Sequence, residues 1–200
     1  MRIDLKRLLE NKYTYKTRSG YSHLLKTKVI NEKDILVYYE VGGKIKRSVS
    51  RIFPQYLDIT NRFMWVLGFI NGEGLKSINS VSSMYRFAVT NNDPSTIKNV
   101  LKVLDESKLF KINNLPINSI KINYGNKCFV QSLKSYWSKE LGLTKEKIKL
   151  ALKPQKQKKA KYGTATLYIS DVLLRRVMDI ISNHINEQIF SSSPESASAF

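Results

Sequence analysis

The spacing of apolar and polar positions changes several times along the 200-residue chain, and each change marks an element. In residues 2–11, Ile3, Leu5, Leu8 and Leu9 fall near helical spacing, which predicts a short helix. Residues 22–30 and 35–53 look extended: Leu36, Tyr38 and Glu40 alternate with Val37, Tyr39 and Val41, and Gly42-Gly43 suits a two-residue hairpin turn before Lys44 to Ile52. Phe53-Pro54 ends that run, because the residue before a proline is pushed out of the helical region. Residues 1–60 therefore read as a basic, mostly β extension.

From residue 61 the pattern predicts a helix capped by Asn61 or Thr60, running through Phe69 and Ile70 and stopped by Gly72 and Gly74. Extended runs follow at 75–81 and 84–91, the second alternating Tyr85, Phe87 and Val89 with Arg86, Ala88 and Thr90. Asp93 caps the next helix, Pro94 takes its first position, and Ile97, Val100, Leu101 and Leu104 form its buried stripe. Residues 117–124 predict a strand with Ile120, Ile122 and Tyr124 on one face and Ser119, Lys121 and Asn123 on the other. Residues 128–141 and 144–151 read as helices, followed by a lysine-rich loop at 153–161. A strand at 164–169 turns Ala165, Leu167 and Ile169 inward and Thr166 and Tyr168 outward, and Ser170-Asp171 caps a last helix to about Asn186. The domain is then α+β, with one sheet face covered by helices and the other polar, spanning 61–186, and 187–200 is a flexible low-complexity tail.

Composition narrows the function. The chain holds 34 Lys and Arg against 16 Asp and Glu, a net charge of +18 that points to a polyanionic partner. Residues 108–161 carry 14 basic and 2 acidic groups, and every one of those basic groups is lysine. A phosphate backbone rewards such clustering through counterion release. The longest apolar run, Phe63 to Ile70 counting Gly68, is eight residues, too short for a membrane-spanning helix. No signal-peptide pattern opens the chain and Cys128 is the only cysteine, so a reducing, cytoplasmic setting is expected. With only His23 and His184 beside Cys128, no zinc-ligand cluster exists, and any metal must be held by oxygen.

The unusual stretch is VLGFINGEG, residues 66–74. Gly68 and Gly72 lie four apart on an apolar helix, each costing about 1 kcal/mol relative to alanine. Two small residues on one face let a second backbone come close. Glu73 falls where the helix dipole is negative, which costs a carboxylate roughly 0.3–1 kcal/mol. A solvent-exposed Glu beside a glycine cap would account for this, and so would a function that needs the acid there.

These nine residues resemble the LAGLIDADG motif of homing endonucleases position by position, with Asn71 departing from the motif's first acid. The strands that follow, TNNDPSTIKNVLKVL and LYISDVLLRRVMDII also look like that family's α-β-β-α-β-β-α unit, with 128–161 as an inserted helical segment. The resemblance implies the LAGLIDADG homing-endonuclease fold, with an antiparallel, saddle-shaped sheet. It implies Glu73 as ligand of a divalent metal, Mg²⁺, assisted by the Gly72 carbonyl, with paired metals activating a water and stabilising the leaving oxygen. A basic residue near the active site is also implied, for which Lys161 and Lys121 are the candidates. One motif copy implies a homodimer packed through Trp65, Gly68, Phe69 and Gly72, each subunit reading half of a near-palindromic duplex. The polar sheet face would supply the DNA contacts: Lys76, Arg86, Lys121, Asn123, Thr164, Thr166 and Tyr168, with Arg86 best placed for a guanine edge.

SKELGLTKEKIKLALK, residues 138–153, also resembles the turn of a helix-turn-helix, although a glycine-terminated helix followed by a second capped helix explains it as well. The function expected first is a sequence-specific, Mg²⁺-dependent double-strand DNA endonuclease. The alternatives are a regulator on the same fold that binds DNA without cutting it, and an intron maturase that binds structured RNA.

Overall fold

The two ends of the first sixty residues pair with each other. In the computed structural model, residues 1–10, 14–16, 22–41, 47–74, 87–125, 130–152 and 161–191 are described. Strand β1 (Arg2–Asp4) pairs antiparallel with β7 (Tyr56–Asp58), setting Ile3 against Leu57, both buried. The helix expected over 2–11 is thereby shortened to α1 (Leu5–Leu9), whose first turn is capped by Asp4 accepting from the Arg7 N–H at 3.1 Å. A helix that short is marginal alone, and pairing with a distant strand claims its first residues instead. Strands β2 (Thr14–Lys16) and β3 (Ser22–Leu24) form one ribbon, and β4 (Lys26–Val29), β5 (Asp34–Val41) and β6 (Arg47–Pro54) form an antiparallel sheet. The alternation expected in β5 holds, with Ile35, Val37 and Tyr39 buried. The expected Gly42-Gly43 turn lies outside the described residues.

Contacts divide the chain into two compact units, Met1–Ile59 with Leu173–Phe200, and Thr60–Val172. The second unit opens with α2 (Asn61–Phe69), capped by the Thr60 hydroxyl accepting from the Phe63 N–H at 3.2 Å. The α-helix gives way to a π turn, Ile70–Gly74, over the glycines expected to stop it. Strand β8 (Phe87–Asn91) leads to α3 (Pro94–Glu106), which buries the expected stripe of Ile97, Val100, Leu101 and Leu104. The Asp93 carboxylate caps α3, accepting from the Ser95 N–H at 3.0 Å and from the Ser95 and Thr96 hydroxyls. Next come β9 (Ile120–Tyr124), α4 (Val130–Leu141), β10 (Ile148–Leu152) and β11 (Thr164–Ile169). The helix α5 (Val172–Ser191) runs past Asn186. Among the described residues no helix is long and apolar enough to cross a membrane.

The main sheet has the order β10-β9-β11-β8. The class is α+β as expected, but the sheet is mixed rather than antiparallel, because β10 lies parallel to β9. The second of the two helices expected across 128–151 is therefore a strand after a single 3₁₀ turn at Lys145–Lys147, and no helix-turn-helix forms. Helix α4 ends instead in a glycine cap: Gly142 takes φ +67°, and the Leu143 N–H reaches back to the Ser138 carbonyl at 3.0 Å. On one side of the sheet Phe87, Val89, Ile120, Ile122, Ile148, Ala165 and Leu167 are buried, and α3 lies against β8 and β11 while α4 lies against β10. Trp137 of α4 is fully buried and donates its indole N–H to the Tyr162 carbonyl at 2.7 Å, and Tyr136 stacks on the Tyr162 ring with centroids 4.0 Å apart.

Gly163 brings the chain into β11 at φ +76°, and a Cβ there would meet the Asn123 carbonyl oxygen at 2.7 Å. Gly142 has a similar φ of +67° with open space around it. Gly142→Ala should therefore cost only the left-handed penalty, about 1 kcal/mol, and Gly163→Ala at least about 2 kcal/mol, because the clash adds to it. Urea denaturation checks this, and equal losses would contradict the close approach. The Asp93 carboxyl is held below its usual pKa, chiefly by the Ser95 side-chain hydrogen bond. Its charged-form stabilisation is thus present above about pH 4 and lost as the pH falls through the folded value. Wild type should exceed Asp93→Asn, which caps without titrating, by roughly 0.3–1 kcal/mol at neutral pH and low salt. Denaturation from neutral to acid pH should show that gap closing; a pH-independent gap would contradict it.

Candidate functional site

The motif helix α2 has two unlike faces. Phe63, Val66 and Leu67 are buried, as is Ile70 at the start of the π turn, whereas Asn61, Trp65 and Gly68 of the helix and Gly72 of the turn are exposed. Trp65 keeps 48% of its surface open and stacks on the half-buried Phe69, ring centroids 5.4 Å apart and planes within 6°. A Cβ built on Gly68 or Gly72 would find nothing within 4 Å. Among the described residues, then, no packing neighbour requires either glycine, and the segment carries their propensity cost without a return from those neighbours. Beside this face a cleft of about 240 Å³ lies between α2 and α3, lined by Asn61, Arg62, Trp65, Asn99 and Val103. Its rim is held by Arg62, which donates to Glu106 at 3.3 Å.

Glu73 falls in the π turn at the foot of this helix, and its side chain lies outside the described residues. Among the described residues no three of His, Cys, Asp and Glu converge as a metal-holding group. Gly72 is exposed, which leaves its backbone open to solvent. One carboxylate with one carbonyl suits Mg²⁺, which binds few protein oxygens and retains several waters.

The second element of the site is the sheet face turned away from the apolar side. Strand register puts Lys149 of β10 beside Lys121 of β9, Lys121 beside Thr166 of β11, and Thr166 beside Thr90 of β8. Ser119, Asn123, Thr164 and Tyr168 share this face by alternation. Its accessibility is graded. Lys149 and Thr90 are exposed, Lys121, Thr164 and Tyr168 half-buried, and Asn123 and Thr166 only 7% and 5% exposed. The centre of a four-stranded sheet shields its short side chains behind larger neighbours, and Thr166 is further engaged by the Thr90 hydroxyl at 3.0 Å. Of the expected DNA-contacting residues, Lys121, Thr164 and Tyr168 thus reach the surface on one face, while Asn123 and Thr166 form its floor. Lys76 and Arg86 lie outside the described residues.

The two candidate catalytic lysines are placed differently. Lys121 sits within β9, whereas exposed Lys161 precedes Gly163 near the Asn123 end of that strand, its ammonium 5.2 Å from the Tyr162 ring centroid. Lys149 and Ser119 had not been expected in the site. The alternation of Ile148, Leu150 and Leu152 with Lys147, Lys149 and Ala151 was the available signal, and it is masked by an equally good helical reading of the same residues. No protein-family model matches the chain, and no curated protein matches it.

Proposed function

We propose that the chain is a sequence-specific, metal-dependent double-strand DNA endonuclease that works as a homodimer joined through the exposed glycine face of α2. The observation that carries this reading is that open face, where among the described residues a Cβ added at Gly68 or Gly72 would meet nothing within 4 Å and Trp65 stands 48% exposed beside them. Small residues spaced by four on an uncovered helix suit close approach by a second helix. Two motif helices meeting there would bring both Glu73 residues together at the dimer axis.

The order of elements also supports the reading. With α4 and β10 set aside as an insertion, the described elements run α2, β8, α3, β9, β11, α5, and the LAGLIDADG unit's remaining strand, expected at 75–81, lies outside the described residues. Charge agrees: the cationic positions of the sheet belong to the segment that holds 14 lysines against 2 acids. In this scheme Glu73 and the Gly72 carbonyl hold the ion, and Lys121 or Lys161 neutralises charge at the phosphate. Bound Mg²⁺ supplies activation of water and stabilisation of the leaving oxygen. The sheet face orients the duplex, with phosphate contacts fixing register and base contacts fixing sequence.

Glu73→Gln keeps the size of the side chain and removes its charge, so it should reduce duplex cleavage by at least about 1,000-fold and leave duplex affinity within about twofold. Equal loss of binding would make Glu73 a structural residue and defeat the assignment. Gly68→Leu separates the dimer from the fold. The single chain has room for the side chain and gains about 1 kcal/mol of helix propensity, so the monomer should stay folded by circular dichroism while sedimentation shows the dimer lost. A Gly68→Leu chain that still sediments as a dimer, or a wild type that is monomeric at high concentration, would refute the interface.

A further inference from the structure

The inserted strand β10 creates a feature that the motif does not account for. Lys149 and Lys121 are register partners on adjacent parallel strands and lie on the same face. Like charges directly opposite one another in a sheet are destabilising. Among the described residues neither ammonium is ion-paired, and Asp and Glu are absent from the positions that share this face. Next to the pair an open cleft of about 300 Å³ is lined by Asn118, Ser119, Lys121, Lys149, Tyr168 and Ser170, among others.

The floor of this cleft is polar and unsatisfied. Ser119 is 4% exposed, and its hydroxyl has no hydrogen-bond partner. A buried hydroxyl without a partner costs about 1–3 kcal/mol, so its retention beside two unpaired cations points to an acceptor supplied from outside. The surrounding backbone is fixed. The Tyr168 N–H donates to the Ser119 carbonyl at 2.7 Å, and the Asn118 N–H, in a residue at φ +58°, donates to the Glu146 carbonyl at 3.0 Å. The Lys147 ammonium donates to the Leu115 carbonyl, tying the 3₁₀ turn before β10 to the loop before β9. Two ammonium groups and a phenol on adjacent strands, with two serine hydroxyls at the strand ends, all able to donate, match the oxygens of a tetrahedral anion.

We infer that this cleft binds a phosphate group, and that in the working protein the group is a phosphodiester of the nucleic-acid backbone, so that β10 lengthens the footprint of the sheet on its duplex. The shared chemistry with a free phosphorylated molecule is the phosphate itself; the assignment to a backbone rests on the DNA-binding reading above.

The test uses the full chain and two probes. Inorganic phosphate titrated into the isotope-labelled protein should shift the amide signals of Ser119, Lys121, Lys149 and Tyr168 saturably, and Lys149→Gln should weaken that binding roughly fivefold. Lys145→Gln, an exposed lysine of the preceding turn that does not line the cleft, should leave it unchanged. With a random-sequence duplex, Lys149→Gln should lower the slope of log affinity against log salt by about 0.9, the loss of one phosphate contact. Absence of phosphate-induced shifts at these amides overturns the site. Phosphate binding with an unchanged duplex slope in Lys149→Gln overturns the backbone assignment and gives the cleft to a free phosphorylated molecule. A wild type that takes phosphate in the cleft yet binds no duplex defeats the DNA-binding reading separately, and the backbone assignment with it.

Discussion

Strand β11 is the element on which the Thr60–Val172 unit depends. Among the described residues it is the only strand of the main sheet flanked by two antiparallel partners, β9 and β8, and it follows Gly163, where the chain runs hard against β9. That approach leaves no room for a Cβ against the Asn123 carbonyl, so the register of Thr164 with Asn123 is fixed at one end. Because a strand's side chains alternate, a slip of one residue would exchange its apolar and polar faces. The register therefore determines that Ala165, Leu167 and Ile169 enter the core and that Thr164, Thr166 and Tyr168 join Lys121 on the opposite face. Anchoring of Tyr162 by Trp137 and Tyr136 of α4 reinforces the same junction from the helix side.

Much of this was legible in the chain. The Asp93-Pro94 start and apolar stripe of α3 are local signals that tertiary structure does not overrule, and so is the Thr60 cap of α2. What escaped was set by distant partners. Residues 148–152 become a strand because β9 offers an edge to pair with, although their lysines and leucines fit a helix equally well. Arg2–Asp4 leaves the first helix for the same reason. Burial of Asn123 and Thr166 depends on their place inside the sheet, which alternation alone does not reveal. At the candidate site, the exposure of Gly68, Gly72 and Trp65 agrees with a helix face left for a partner. Glu73's side chain, Lys76 and Arg86 fall outside the described residues.

Two local costs recur in the Thr60–Val172 unit, and both have the same form. Among the described residues, Gly68 in α2 and Gly72 in the π turn bring no packing benefit, and two lysines lie side by side without a carboxylate. A fold selected for its own stability alone would remove either by a single substitution. Each cost is offset if something outside the chain completes the arrangement, a second α2 at the glycines and a phosphate at the lysines.

The central claim is that two copies of this chain recognise and cut one duplex, and its most direct test is to sequence what they select. Duplexes enriched from a random library by binding in Ca²⁺ would be exposed to Mg²⁺ and their broken ends mapped. The account predicts an inverted-repeat consensus with breaks on both strands placed symmetrically about its centre. An enriched consensus that stays intact in Mg²⁺, or one without two-fold symmetry, would contradict it.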